Sequence, residues 1–398
     1  MVKSAVLAAG FIDLSGGNVN DHAGECLLIE DGRIVGFEKT AALPDDGSIA
    51  IIDRAGRYCL PGLVDAGFLG GLIVREDGFR PNTYGQSVWA AKRAAETWLD
   101  GGVTTVGSMG AADEIDFDLA RSIAGGRMAG PRIYPALTPL APAGRAKFHP
   151  LYGVREVSGT DDARRAAREV IKNGADRIVV YADPPLEFHT SPAETSRHRL
   201  TFSTGELAEL VAQARGAGCY VHAQAISAEA ISNCIEAGVR SIGCAFGLQE
   251  AHLPLMAERG VALAPNLALG ATIRELGAAA GFAAASIQMV SSQRIAPDLL
   301  LRAHEAGVEI ICGTNAAFLA GDVYRECLEL VHAGLSAADA LRAATIGSAG
   351  ALKPYVECGS FRSFHLADLI FLENDPTQDI HALAQIREVM VGGTAVMA

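Results

Sequence analysis

The chain has 398 residues, of which 49% are hydrophobic, and its formal net charge at pH 7 is −13. This length suits one large domain with a smaller one, and the composition is typical of a well-packed globular protein. The negative charge argues against nucleic acid and an anionic membrane as main partners, because both require clustered Lys and Arg. No apolar run is long enough to span a bilayer.

The eight cysteines are scattered along the chain without a C-x-x-C pair. We interpret them as reduced, mostly buried thiols, which indicates a cytoplasmic protein. The N-terminal stretch from Met1 to Gly10 is apolar, but it is short and is soon followed by Asp13. We therefore do not expect it to act as a secretion signal.

The first 57 residues predict short β-strands. Cys26–Glu30 and Arg33–Phe37 are apolar runs separated by Asp31-Gly32. An Asp-Gly pair between two such runs predicts a hairpin, because its turn needs positive φ. Near the other end, Ala367–Leu372 and Arg387–Gly393 are also strand-like. Periodicity therefore predicts strands at both ends but does not show that they pair.

Between these ends, strand-like and helix-like segments alternate. Helices are predicted at Thr204–Gly216 and Ala228–Ala237. The strand-like segments are Leu63–Ala66, Val103–Val106, Arg132–Pro135, Arg177–Tyr181, Tyr220–Ala223, Ser241–Cys244, Val261–Ala264 and Glu309–Gly313. Such a series predicts a (β/α)8 barrel, whose chemistry lies at the carboxyl ends of its strands.

The run from Tyr58 to Leu69 follows the same pattern, with a Pro-Gly break before its strand. It resembles the first barrel strand of the amidohydrolase superfamily, in the imidazolonepropionase-like and prolidase-like branch. Further similar runs follow in order at Gly102–Val106, Gly174–Asp183, Leu330–Thr345, Ala367–Ile370 and Val391–Thr394. The resemblance covers nearly the whole chain. It implies an α/β fold in which a (β/α)8 TIM barrel (58–355) carries a small β-sandwich domain formed by residues 1–57 and 356–398.

The resemblance also implies where the family's metal ligands would fall. The family uses a His-x-His pair, a lysine, two further histidines and an aspartate. In this chain those positions hold Gly67, Leu69, Val179, His222, Cys244 and Asn315. A catalytic zinc needs about three protein ligands, and two rarely hold an ion against cellular chelators. We therefore expect no metal and no other cofactor.

The substitutions at Gly67, Leu69 and Val179 replace a charged centre with a wider, more apolar one, which favours a small, partly apolar ligand. His222 is the candidate acid/base group, and Asp183 and Tyr181 are candidate acid/base groups or hydrogen-bond partners for it.

Other residues at the strand ends or in the following loops are also candidates. Cys244 is a candidate nucleophile beside His222, although a buried structural cysteine is the commoner outcome. Gln224 and Asn315 are candidates for binding a substrate amide or carbonyl group. The segment Leu137–Arg155, which contains His149 and Tyr152, predicts a loop that acts as a lid or binds substrate. The cationic segment Pro184–Arg199 predicts a second such loop.

Two functional hypotheses remain open. The first is a metal-independent enzyme that hydrolyses a C–N bond, by analogy with the family, or acts as a cyclase, isomerase or lyase. The second is a non-catalytic pseudoenzyme or small-molecule-binding protein. A metal held by histidines of the 145–199 loops is a third alternative. Fold-level analogy does not choose among them. The sequence does not fix the oligomeric state, and a homo-oligomer is one assembly that it allows.

Overall fold

The computed structural model describes residues 3–16, 19, 22–68, 83–144, 153–183, 201–276, 295–315 and 323–397. Its strands are β1 Lys3–Phe11, β2 Glu25–Glu30, β3 Arg33–Lys39, β4 Ala50–Pro61, β5 Leu63–Phe68, β6 Val103–Ser108, β7 Arg132–Tyr134, β8 Leu140–Pro142, β9 Arg155–Val157, β10 Arg177–Tyr181, β11 Tyr220–Ala225, β12 Ser241–Cys244, β13 Ala262–Ala264, β14 Leu369–Leu372, β15 Ile386–Val391 and β16 Thr394–Met397.

The α-helices alternate with the central strands. They are α1 Tyr84–Asp100, α2 Ile115–Ala124, α3 Thr160–Lys172, α4 Thr204–Gly216, α5 Ala228–Ala237, α6 Leu253–Arg259, α7 Leu267–Leu276, α8 Pro297–Glu305, α9 Val323–His332, α10 Ala337–Arg342 and α11 Ser348–Leu352. Within the described ranges, no helix combines the length and the apolar character needed to cross a bilayer.

Strands from both ends of the chain form one sheet, in the order β16-β15-β14-β4-β1-β2-β3. β1 lies parallel to β4, and β14 pairs antiparallel with β4. The predicted hairpin is confirmed, because Glu30 pairs with Arg33 across a turn in which Asp31 and Gly32 have φ values of 48° and 77°. Apolar residues from both ends, including Phe11 and Phe371, share one buried cluster in this sheet.

The central strands form the wall of a (β/α)8 barrel. Parallel pairing gives the orders β5-β6-β7 and β13-β12-β11-β10-β8-β9. A bridge from Leu263 to Ile310 adds the last predicted strand segment beside β13. The amide of Ala66 donates to the carbonyl of Cys312 over 2.9 Å, which joins this segment to β5. The first and last strands of the series are therefore neighbours.

The segment after β7 differs from the predicted loop. Leu140–Pro142 forms β8, which pairs with β9 and, through Leu140 and Val180, with β10. Leu140 and Ala141 are buried, and this apolar burial holds the segment in the barrel wall, although Pro139 and Pro142 suggested a loop. The candidate residues His149 and Tyr152 lie outside the described residues, as does the whole Pro184–Arg199 segment.

Alternation along β10 separates the helix-covered face from the barrel interior. Ile178 and Val180 belong to the large cluster that contains the helix residues. Arg177, Val179 and Tyr181 have the opposite parity, so they share the interior face. This face positions the candidate site.

Candidate functional site

Neighbouring strands bring several predicted residues to one part of the barrel interior. Val179 on β10 pairs with His222 on β11, and Tyr181 pairs with Gln224. His222 in turn pairs with Ser241 on β12. Because the strands are parallel and in register, Val179, Tyr181, His222 and Gln224 lie on the same inward face near the carboxyl ends.

His222 is buried, with 2% of its surface exposed. Its Nδ1 lies 2.7 Å from the hydroxyl oxygen of Ser241, whereas its Nε2 has no hydrogen-bond partner among the residues that the structure describes. Burial, assisted by the positive charge of Arg177, lowers the pKa of His222 well below its ordinary value. The imidazole is therefore neutral at pH 7, with one ring nitrogen available to a bound molecule.

The structure does not join Cys244 to His222 through a hydrogen bond within the described ranges. The Cys244 sulfur instead accepts from the Asn315 side-chain amide over 3.8 Å, and the Cys244 backbone amide donates to Asn266 Oδ1 over 2.6 Å. Burial raises the pKa of the Cys244 thiol to about 12. A nucleophilic cysteine requires the opposite shift, because the thiolate is the reactive form.

Asp183 contacts the turn that leads into α5. Its Oδ1 accepts from the Ile226 amide over 2.8 Å, and its Oδ2 accepts from the Ser227 amide over 2.6 Å. Both carboxylate oxygens therefore stabilise the connection between β11 and α5. Tyr181 packs with Ala141 and with Val154 in a small buried cluster.

The remaining predicted positions lie where the first and last strand segments meet. The backbone amide of Asn315 donates to the Gly67 carbonyl over 2.9 Å. A Cβ atom at Gly67 would lie 3.2 Å from Gly313 Cα, so this approach is close. Gln224 places its Nε2 3.9 Å from the Met109 sulfur, and no described residue forms a hydrogen bond with its Oε1. Leu69 lies outside the described residues.

The sequence did not predict a role for Asp65 or Arg177, although both lie in runs that resemble the family's barrel strands. Asp65 is fully buried and accepts four hydrogen bonds, which come from the Gly67 and Thr314 amides, the Thr314 hydroxyl and the Trp98 indole. It fastens the first strand to the last.

Arg177 is 1% exposed, and its Nη1 donates to the Ala66 carbonyl over 2.8 Å. Within the described part of the chain, its Nε and Nη2 have no hydrogen-bond partners. Burial lowers the pKa of the guanidinium to about 10, so it remains charged at neutral pH. The sequence signal for this residue was an arginine two positions before Val179, on the inward face of an otherwise apolar strand.

The described donors do not fit a catalytic metal. No group of three or more His, Cys, Asp or Glu side chains in the described part of the chain is arranged to hold an ion. Gly67 and Val179 offer no side-chain donor, and metal binding through Cys244 would require a thiolate that burial disfavours. The buried charge of Arg177 also repels a divalent cation.

These features define an α/β protein with a strand-end site in a (β/α)8 barrel and a small sheet built from both ends of the chain. A family model described as the amidohydrolase family matches residues 59–396, so the chain belongs to that family.

Solved structures show the same fold. A Xaa-Pro dipeptidase with bound methionine is 24% identical, with a TM-score of 0.85 and 100% coverage of both chains. A putative prolidase from Bifidobacterium longum is 23% identical, with a TM-score of 0.81, and the match covers 100% of this chain and 95% of that one. The A. niger ochratoxinase is 22% identical, with a TM-score of 0.79 and coverages of 100% and 96%. A search of curated protein sequences gives no match.

Proposed function

We propose that the protein is a metal-independent enzyme of the amidohydrolase family that acts on a small, partly apolar molecule. His222 is its acid/base group. The observation that carries this proposal is the Nε2 atom of His222, which is buried in the barrel interior with no hydrogen-bond partner in the described part of the chain, on an imidazole that is neutral at pH 7. The relatives described as dipeptidase, prolidase and ochratoxinase support an enzyme on this scaffold.

The described groups favour proton transfer within a bound molecule over hydrolysis. A neutral imidazole can take a proton from one atom of the substrate and return it to another, which is the chemistry of an isomerase, cyclase or lyase. Arg177 supplies a nearby positive charge that stabilises negative charge developing on the substrate. Hydrolysis of a C–N bond, the reaction suggested by family analogy, would require His222 to activate water alone, since the described donors do not fit a metal.

A binding protein without catalysis is the second candidate. The carboxylate of Asp183 is engaged by two backbone amides, and the thiol of Cys244 is protonated. Asn315 holds an amide where the family has an aspartate, and an amide is not a general base. These observations leave His222 as the candidate acid/base group of the inward face.

The test begins with native mass spectrometry of the untreated protein, together with elemental analysis, to identify any small molecule or metal that copurifies. The identified molecule is then incubated with protein treated with a chelator, and its conversion is followed by mass spectrometry. We expect turnover to survive chelation and to fall by about 100-fold or more in His222→Ala, because general acid/base catalysis contributes about 10²–10⁴.

His304→Ala is the matched control, since His304 lies 3.6 Å from Asp339 on the helical exterior and should not affect turnover. Equal turnover by folded His222→Ala would contradict the assignment of His222. A molecule that binds the wild-type protein but is never converted would favour the binding protein. A stoichiometric metal that is required for turnover would overturn the metal-independent mechanism.

A further inference from the structure

The unpartnered atoms of Arg177 form a specific binding geometry. Nη1 donates to the Ala66 carbonyl, and Nε and Nη2 have no partners in the described ranges of the chain. In a guanidinium group, Nε–H and the outer Nη2–H lie along one edge and point in the same direction. This edge matches the two oxygens of a carboxylate, which it can bind through two parallel hydrogen bonds.

The surrounding residues make space for this guanidinium in the barrel interior. A Cβ atom at position 107 would overlap Nη1 of Arg177, so only glycine at this point of β6 accommodates the arginine. The next inward positions along β10 are Val179 and Tyr181, towards the carboxyl end. The arginine thus lies on the same interior face as the candidate site, and its charge acts on His222.

Two further polar atoms of this interior also have no hydrogen-bond partners among the described residues. These are Nε2 of His222 and Oε1 of Gln224, on residues that are 2% and 5% exposed. Buried polar groups are almost always paired, so several unpaired atoms on adjacent strands indicate a place for a polar molecule. A molecule that satisfies all of these atoms needs two acceptor atoms for Arg177 and a further hydrogen-bonding group for His222 and Gln224.

We propose that Arg177 binds the carboxylate of a small monocarboxylic acid inside the barrel, in a cradle formed with His222 and Gln224. The ligand carries a second polar group that reaches these two side chains. A monoanion fits better than a doubly charged phosphate, because the single charge of Arg177 is accompanied by the nearby carboxylate of Asp65. This carboxylate site specifies the substrate class of the proposed enzyme. It rests on the proposed function only in that the barrel interior is taken as the substrate site.

The test uses acetate as the probe and measures thermal unfolding of the intact chain. Acetate replaces chloride stepwise at constant ionic strength, so that general salt effects stay fixed. A ligand at free concentration c that binds the folded state stabilises it by RT ln(1 + c/Kd), so the melting temperature rises with the concentration and the affinity of the ligand. We expect acetate to raise the melting temperature of the wild-type protein, and the Arg177→Met substitution to weaken acetate binding by at least about tenfold, since charged hydrogen bonds are lost.

Arg132→Met is the matched control. Arg132 is also an inward-reaching arginine, but it is paired with Asp368 over 2.7 Å. This variant should keep the acetate response even if its stability falls. Arg177→Lys provides a second variant that retains the charge but loses the planar pair of donors, so its acetate affinity should lie between those of the wild-type protein and Arg177→Met.

No stabilisation of the wild-type protein by acetate beyond that of chloride would overturn the inference, as would equal stabilisation of folded Arg177→Met. The result is independent of turnover. If acetate binding depends on Arg177 while His222→Ala leaves turnover unchanged, the carboxylate site stands and the proposed acid/base role fails. If His222→Ala abolishes turnover while acetate has no effect, the reverse holds.

Discussion

At the scale of single residues, the main feature of the barrel interior is the buried side chain of Arg177, which lies against Gly107, a position without a side chain. Arg177 occupies space next to β6 that is open only because position 107 is glycine. Burying a cation is costly even with the carboxylate of Asp65 nearby, and ionisable groups with perturbed pKa values are concentrated at sites that bind or orient a molecule. The pairing of Arg177 with Gly107 is therefore a feature of this chain that its fold alone does not require.

We expect Gly107→Ala to lower the free energy of unfolding by about 1–3 kcal/mol, since the added methyl group would overlap both Arg177 Nη1 and Leu352 Cδ2. In an Arg177→Ala background the cost should be smaller, and urea unfolding of the four proteins of the double-mutant cycle gives the coupling. Gly56→Ala is the control, because a Cβ there meets no atom within 4 Å. Strictly additive effects would show that the two positions do not interact.

Part of the geometry follows from the sequence at this scale, for a physical reason. Alternation along a strand fixes which residues share a face, so His222 and Gln224, two positions apart on β11, lie on one face. Hydrogen-bond partners depend on atoms that are distant in sequence. The sequence therefore did not show that Asp183 bonds the α5 turn or that Cys244 faces Asn315.

At the scale of secondary-structure elements, the start of α7 depends on a carboxylate from another helix. Glu326 of α9 is fully buried and accepts from the Leu267 amide over 3.0 Å and the Ala268 amide over 2.6 Å. Burial is the largest influence on this group and raises its pKa from 4.5 to about 8, although the two hydrogen bonds act in the opposite direction. The folded protein therefore binds a proton here that the unfolded chain releases.

This shift predicts a pH dependence of stability. The contribution of Glu326 is fully present below pH 4.5 and is lost as pH rises through about 8, because the folded state holds the proton more tightly. Glu326→Gln removes this dependence. We expect the wild-type protein to lose a few kcal/mol relative to the variant between about pH 5 and pH 9, measured by urea unfolding at each pH. Parallel pH profiles for the two proteins would contradict the raised pKa.

Element boundaries were predictable where local signals were strong. The predicted bounds of α4 and α5 agree with the structure, since Ser203 with Glu206 forms a capping box and Ser227 caps the second helix. The strand Leu140–Pro142 was missed because its pairing with β10 is a tertiary contact, whereas Pro139 before it and Pro142 at its end are local signals against a strand.

At the scale of the whole molecule, the burial of the cysteines determines how the protein reacts with thiol reagents. The eight cysteines are free thiols and all are buried. Burial raises the pKa of several of them, including Cys234, Cys244 and Cys358. We expect a thiol reagent such as Ellman's to react slowly with the native protein and with all eight thiols after denaturation.

The labelling kinetics of Cys244→Ala serve as the control, because this variant should lose one thiol only in the denatured state. Rapid labelling of one thiol in the native wild-type protein that disappears in Cys244→Ala would show a reactive Cys244. That result would restore the Cys–His pair predicted from the sequence.

The overall fold was predictable because the chain repeats one unit of strand and helix, and each unit shows its own apolar pattern. The pairing of the two ends in one sheet was not a consequence of periodicity and came from the family resemblance alone. The order of strands around the barrel likewise depends on contacts between segments that are far apart in sequence.

The hydrogen bonds of Asp65, which join the first barrel strand to the segment after the last one, have a consequence for synthesis. The carboxylate and its partner Thr314 are 249 positions apart, and β4 must await β14 to complete its sheet. A chain emerging from the ribosome therefore carries its first barrel strand for most of translation before the last strand exists to meet it. Such late, non-local pairing makes folding slow and leaves the early strands exposed to aggregation. We therefore expect chaperones to bind the nascent chain of this protein.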